Sequence, residues 1–258
     1  MFIDTHCHLD DPKIRPDAPR VVEEFNAAGV KVAINIGCDL VTSRVVKEQA
    51  EQFDGVYFAA GIHPQDVNGA KDSDIFGIEE LAKSEKCVAI GEIGLDYFWD
   101  KTYKDKQKEF FVRQIELAQY LKLPINVHVR DATADALQIL KDNRHKLVYG
   151  GVMHCFSGSN ETAAVLLKLG LYLSFGGTLT FKNAHNIPIV AKNAPIDRIL
   201  TETDSPYLSP EPFRGKVNTP KNIPVIAAKL AEIRGVTVEE IETAVYNNVK
   251  TLFPKIKE

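Results

Sequence analysis

The sequence predicts an α/β fold, a single (β/α)8 TIM barrel spanning residues 1–258. Three observations predict it. Apolar runs recur at intervals of about 25–35 residues, amphipathic stretches lie between them, and several runs are continuously apolar rather than alternating. Unbroken apolarity belongs to parallel strands covered by helices on both faces. The length of 258 residues, with 45% hydrophobic and 26% charged side chains, suits one such domain. A doubly wound open sheet is the alternative, but no linker, low-complexity stretch or short repeat divides the chain.

The expected strands are FIDTH (2–6), KVAINIG (31–37), VYFAAGI (56–62) and CVAIGEI (87–93), followed by INVHV (125–129), GVMHC (151–155), LYLSF (171–175) and ILTET (199–203). Helical patterns alternate with them. The stretch 20–29 ends on a Gly suited to the position after a helix. A second, 42–53, opens on Thr42 and Ser43 as candidate N-caps, and 160–170 opens on Asn160 as another. The longest, 104–123, has apolar residues at helical spacing and a Pro directly after it. Two more, at about 221–234 and 237–252, close the chain, leaving FPKIKE as the only expected disordered tail.

Composition narrows the function. The net charge of −4 counts against a protein that grips long duplex DNA, which uses a basic stripe to displace counterions. Cys7, Cys38, Cys87 and Cys155 are scattered without C-x-x-C spacing, so they read as reduced thiols of a cytoplasmic protein. The first residues lack an apolar signal core, and no run is long enough to cross a membrane. No surface motif declares an obligate protein partner or an oligomeric state.

The strand ends carry the chemistry. His6 and His8 end the first strand, His63 follows the third, and Glu92 lies on the fourth. His128 and His154 sit on the fifth and sixth, and Asp204 follows the eighth; His145 and His185 lie elsewhere. Singly, each has an ordinary explanation: a hydrogen-bonded core histidine, a paired buried acid, or an Asp in a turn. Together they do not, because burying imidazoles and carboxylates at one end of several core strands is costly unless they share a cation. Residues i and i+2 of a strand face the same way, so His6 and His8 can reach one ion while Cys7 faces the opposite side. Cys155 stands in the same relation to His154, which weakens a Cys–His hydrolase reading. Four His and two acids exceed the needs of one catalytic zinc and point to two metals bridged by a carboxylate, with Glu92 the best bridge.

In order, DTHCHLD, GIHP, GEIGLDY, VHVRDA, HCFSG and ETDSPYL, continuing through RGKVNTPKN and a closing NN-x-x-x-LF, resemble the TatD family of metal-dependent deoxyribonucleases along essentially the whole chain. H-x-H alone is common among metal hydrolases; HCFSG combined with ETDSPYL is specific. The resemblance implies a barrel of the metallo-dependent hydrolase type and hydrolysis of DNA phosphodiesters. It implies one divalent metal held by His6, His8, Glu92 and Asp204, and a second by Glu92, His128 and His154, the ions being Mg²⁺, Mn²⁺ or Zn²⁺. It also places His63, Arg130, Tyr207 and Arg214 along the substrate site. One departure is FGGTLTFK (175–182), where the family more usually has a Ser-Gly pair.

The mechanism expected is attack by a metal-activated water, with Asp204 as general base and Glu92 bridging. Arg130 and Arg214 are candidate phosphate partners, and Lys182 a weaker one. The acidic chain favours exonuclease-like action on single strands or ends. Alternatives are a metal-dependent amidohydrolase or esterase, whose wider superfamily often bridges its metals with a carboxylated Lys, and a non-catalytic metal-binding protein.

Overall fold

Parallel strands need crossover connections, and the amphipathic stretches between the apolar runs supply them. The computed structural model, which describes residues 1–257, shows one eight-stranded parallel sheet with its strands in chain order. The strands are β1 Phe2–Cys7, β2 Val30–Ile36, β3 Val56–Ala60, β4 Cys87–Asp96, β5 Ile125–Arg130, β6 Gly151–Met153, β7 Leu171–Phe175 and β8 Ile199–Thr201. The helices are α1 Ala18–Ala27, α2 Leu40–Gln52, α3 Asp72–Ala82, α4 Lys104–Leu121, α5 Thr133–Asp142, α6 Asn160–Lys168, α7 Asn186–Asn193, α8 Ile223–Arg234 and α9 Val238–Leu252. Among the described residues none of them is long and apolar enough to cross a membrane.

The (β/α)8 expectation holds, with local corrections. Helices α3, α5 and α7 fill gaps where no helix was named; α3 carries Gly77 and an exposed Phe76, and α7 carries Pro188 near its start, which blurs their periodicity. The cap of α2 is Asp39 rather than Thr42 or Ser43: its carboxylate accepts from the Thr42 amide, and the Thr42 hydroxyl receives the Asp39 amide in return. Ser159, not Asn160, caps α6. Strands β3, β6 and β8 stop two residues short of their expected ends, although the His154 amide still donates to the Val127 carbonyl at 3.0 Å and the Glu202 amide to that of Phe175 at 3.2 Å. The closing FPKIKE is not a loose tail, since Phe253 and Ile256 are buried in the core; Glu258 lies outside the described residues.

The barrel closes through a polar seam between its first and last strands. Thr5 Oγ1 donates to the Thr201 carbonyl at 3.0 Å, and Thr201 Oγ1 donates to the Ile3 carbonyl at 2.9 Å. Beyond them the Asp204 amide donates to the His6 carbonyl at 2.9 Å, and the His8 amide to the Ser205 carbonyl at 2.8 Å. The buried Asp4 carboxylate takes the Thr203 amide at 2.9 Å and the Thr203 hydroxyl at 2.5 Å. Burial pushes the Asp4 carboxyl up to about 7 even against these bonds.

Buried side-chain amides fix the backbone where strands end. Helix α4 presents Gln107 and Gln114, two turns apart on one face. Gln107 bonds both backbone groups of Asp96, at 3.0 Å each. Gln114 accepts from the Ile62 amide at 2.7 Å and donates to its carbonyl at 3.0 Å, just before His63. Asn35 accepts from the Leu9 amide at 2.8 Å while Gln49, bonded to Asn35, donates to the Leu9 carbonyl at 3.0 Å, just after His8. An amide suits this work because it donates and accepts without adding charge. Replacing Gln114 by Leu keeps the bulk and removes both bonds. We expect a stability loss of about 2 kcal/mol, read as a lower urea midpoint at unchanged slope; an unchanged midpoint would refute the clamp.

Candidate metal centre

Glycines let the strands approach where the centre forms. Gly91 and Gly94 flank Glu92 with φ of 151° and 140°, and a Cβ on either would lie 2.4 Å from the Asn126 carbonyl oxygen or 2.0 Å from that of His128. A side chain at either position would drive β5 away from β4. The bare backbone instead sets Glu92 against the β5 histidine.

Glu92 is buried, and its two oxygens face two sets of donors. Oε2 lies 3.5 Å from His6 Nε2 and 3.8 Å from His8 Nε2. Oε1 lies 2.7 Å from His128 Nδ1, 3.0 Å from His154 Nε2 and 3.5 Å from His63 Nε2. Asp204 closes the first set, with Oδ1 at 3.8 Å from His6 Nε2 and 3.5 Å from His8 Nε2. The structure thus brings together His6, His8, Glu92, His128, His154 and Asp204, with His63 alongside. His145 and His185 are exposed elsewhere.

The imidazoles are held from behind. His8 Nδ1 faces the Ile36 carbonyl at 3.1 Å, and His6 Nδ1 faces Asn126 Oδ1 at 3.2 Å. His128 Nε2 faces Asp96 Oδ2 at 3.3 Å, and His154 Nδ1 lies 3.3 Å from Glu202 Oε1. Such partners fix ring orientation and raise ligand basicity. Sequence reasoning did not name these partners. Asp96 stands inside GEIGLDY, Glu202 inside ETDSPYL, and Asn126 is two residues before His128 on the same strand face, so their positions carried a signal. Asn218 in RGKVNTPKN was also unassigned; its amide donates to the carbonyls of Thr203 and Tyr207 and so braces the segment carrying Asp204.

These contacts test whether cations fit. With Nδ1 of His8 committed to a carbonyl and that of His6 to an amide oxygen, their Nε2 lone pairs meet at 3.2 Å beside two carboxylates. Lone pairs and negative oxygens converging in this way need positive charge between them, either protons or a metal. Both sets offer hard, borderline nitrogen and oxygen donors suited to Zn²⁺, Mn²⁺ or similar ions. Geometry allows a cation at His6–His8–Glu92 and at His63–Glu92–His128.

The titration behaviour follows the same charges. Burial raises the Glu92 carboxyl, but His154, His63 and His6 with the bond from His128 hold it well below the usual range. Burial lowers His8, yet Cys38, Asp204 and Glu92 lift it well above an ordinary imidazole; Glu92 and Glu202 do the same for His154. Burial, followed by His154, keeps His6 low. Asp96 is brought to about 2 despite its burial by bonds from His128, the Phe98 amide and Gln65.

The thiols are not activated, although Cys38 Sγ lies 4.0 Å from His8 Nδ1 and donates to Glu92 Oε2 at 4.0 Å. Cys7 points into the core, bonding the Ile34 carbonyl at 3.4 Å. Cys155 corrects the expectation that it faces away from His154: β6 has already ended, Cys155 adopts φ 44°, and both residues line one cavity of about 360 Å³. Burial pushes Cys38 up to about 12 and Cys155 well above the usual thiol range, the reverse of an activated nucleophile.

The outer candidates sit on the rim rather than at the centre. Arg130, Arg214 and Lys182 are exposed. The Arg130 guanidinium lies over the Phe98 ring at 3.6 Å and that of Arg214 over Phe181 at 4.2 Å. The Tyr207 hydroxyl donates to Asp11 at 2.8 Å.

A TIM barrel gathering imidazoles and carboxylates at the C-terminal ends of its strands defines a metal-dependent hydrolase. The family model described as "TatD related DNase" matches residues 3–254, and the chain belongs to that family. It is 46% identical over 253 residues to the "uncharacterized metal-dependent hydrolase YabD" of Bacillus subtilis, covering 98% of this chain and 99% of that protein. It is 39% identical to the "uncharacterized metal-dependent hydrolase YcfH" of Escherichia coli K12, covering 98% and 96%. The crystal structure of the TatD homologue YjjV from E. coli K12 superposes with a TM-score of 0.93 at 32% identity, covering 98% of each chain.

Two outcomes follow. Asp96→Asn weakens the hold on His128 and lowers divalent-metal affinity about 10–100-fold, measured by calorimetric titration; unchanged affinity would show that Asp96 does not tune the ligand. The upward shifts of His8 and His154 mean that the metal-free centre keeps protons above the pH at which an ordinary imidazole loses them, so loading releases them and apparent affinity climbs as pH rises through neutrality. A pH-stat titration checks this, and an affinity flat through neutrality would contradict it.

Proposed function

We propose that the protein is a divalent-metal-dependent deoxyribonuclease that hydrolyses DNA phosphodiester bonds at a two-metal centre. One observation carries the reading: the oxygens of Glu92 divide between His6–His8 and His128–His154, the layout of a bridging ligand. His6, His8, Glu92 and Asp204 would hold one ion, and Glu92, His128 and His154 the other. When bound, the ions supply Lewis-acid polarisation of the phosphate and a water acidic enough to attack at neutral pH.

The chain's own residues do the rest. Asp204, ionised because His8, His154 and His6 outweigh its burial, takes the proton of the attacking water. Its side chain keeps 16% exposure at the mouth, where substrate arrives. Glu92 holds the two halves in register, and His63 flanks it. Arg130 and Arg214 pair with phosphate oxygens, Lys182 adds charge, and Tyr207 lines the entry. The net charge of −4 favours a single strand or end entering the mouth over a duplex lying across the surface. Glu92 occupies the strand from which related amidohydrolases often offer a carboxylated Lys, which favours the phosphodiester reading.

The test is cleavage of short single- and double-stranded oligonucleotides by the purified protein, after EDTA treatment and with Mg²⁺, Mn²⁺ or Zn²⁺ restored. We expect loss and recovery, with single strands or ends preferred, and Asp204→Asn reducing kcat about 100-fold or more. Absence of cleavage with every ion would remove the nuclease reading.

A further inference from the structure

The turn after β4 carries an aromatic pair that the centre does not use. Trp99, the sole tryptophan of the chain, is 68% exposed and Phe98 is 48% exposed. Their rings meet edge to face at 4.8 Å with an interplanar angle of 88°. Arg130 lies flat against Phe98 at 3.6 Å, with its guanidinium carbon 5.5 Å from the Trp99 ring centre. Large aromatic surface left in water is costly and marks a contact site.

The pair is rigidly tied to the centre. The Phe98 amide donates to Asp96 Oδ1 at 2.9 Å, while the other Asp96 oxygen faces His128. The Tyr97 amide donates to the Arg130 carbonyl at 2.9 Å, and the Tyr97 hydroxyl to Asp135 at 2.8 Å. Trp99 follows Asp96 by three residues, so its backbone lies within about 11 Å of that residue's. A ring plane with an adjacent fixed cation fits a flat, electron-rich group joined to an anion. Two other cation–aromatic pairs stand on the same rim, Lys13 over Tyr207 at 5.0 Å and Arg214 over Phe181 at 4.2 Å. Alternating rings and cations around an opening are the pattern by which single-stranded nucleic acid is held without sequence preference.

We propose that Trp99, backed by Phe98 and Arg130, is a stacking platform for a nucleobase of a single DNA strand next to the scissile phosphate. This rests on the deoxyribonuclease reading. Stacking is sequence-tolerant because every base has a π-face, so the platform sets affinity for single strands rather than base choice.

The single tryptophan makes the test direct. Metal-loaded protein is titrated with a short phosphorothioate oligo-dT, which resists hydrolysis, and with an abasic oligomer of the same length and charge, while indole fluorescence is followed. Oligo-dT is expected to quench and blue-shift Trp99, and the abasic oligomer to do neither. In parallel, Trp99→Leu is expected to raise KM for ordinary oligo-dT about tenfold with kcat within about twofold, and Trp99→Phe to restore most of the loss. Equal quenching by both oligomers, or an unchanged KM in Trp99→Leu, overturns the platform while the wild type still cleaves DNA. Self-association that buries Trp99 in sedimentation experiments also overturns it, assigning the ring to a subunit contact. Failure of the metal-loaded wild type to cleave any DNA is a separate result that removes the nuclease reading and the platform with it.

Discussion

The carboxylate of Glu92 governs the arrangement at the barrel mouth. A buried anion is tolerated only where positive charge and hydrogen-bond donors surround it. Its imidazole neighbours come from β1 and β5 and from the segments just after β1, β3 and β6, so widely separated parts of the chain contribute to one balance of charge. The barrel makes this possible because parallel strands end on one side. The same balance explains the opposed shifts at the centre: Glu92 and Asp204 are shifted towards the ionised form, and His8, His128 and His154 towards the protonated one.

Two kinds of polar residue do the positioning, and their division follows from charge. Neutral amides hold the backbone near the ends of the ligand-bearing strands: Gln107 at Asp96, Gln114 at Ile62, Asn35 at Leu9 and Asn218 at Thr203. The carboxylates of Asp96 and Glu202 stand behind imidazoles, where negative charge strengthens the donor, and with Asp4 they also take the backbone amides of Phe98, Cys155 and Thr203. Acids in the amide positions would add unpaired buried charge, and apolar residues would leave strand-end backbone groups unsatisfied.

Much of this was legible in the chain itself. The eight apolar runs correspond to the eight strands, because burial on both faces leaves an unmistakable pattern. His6, His8, Glu92, His128, His154 and Asp204 were visible as polar residues at apolar strand ends, and the structure brings them together. Helices α3, α5 and α7 were harder to read because an internal Gly, a short length or an early Pro interrupts their periodicity. Asp96 and Glu202 escaped notice because an acid two or four residues from a ligand looks the same in sequence whether it faces a metal, an imidazole or solvent. The tail is illegible for a related reason: FPKIKE is locally polar, and the burial of Phe253 and Ile256 is a tertiary effect. In sequence Arg130 shows only its charge; its aromatic partners, Phe98 and Trp99, come from the turn after β4, which the fold lays beside β5.

The polar seam between β1 and β8 has a consequence for how the molecule is made. His6 lies on one side of that seam and Asp204 on the other, and the backbone bonds that join them span nearly the whole sequence. The first donor set is therefore incomplete in a partly folded chain, since Asp204 arrives only after the last strand. An ion held there would act as a clasp across the join, favouring the closed barrel over any form in which its two ends have parted. Completion of the first donor set and closure of the barrel are thus one event, whereas the second set, with His63, Glu92, His128 and His154, belongs to the middle of the chain.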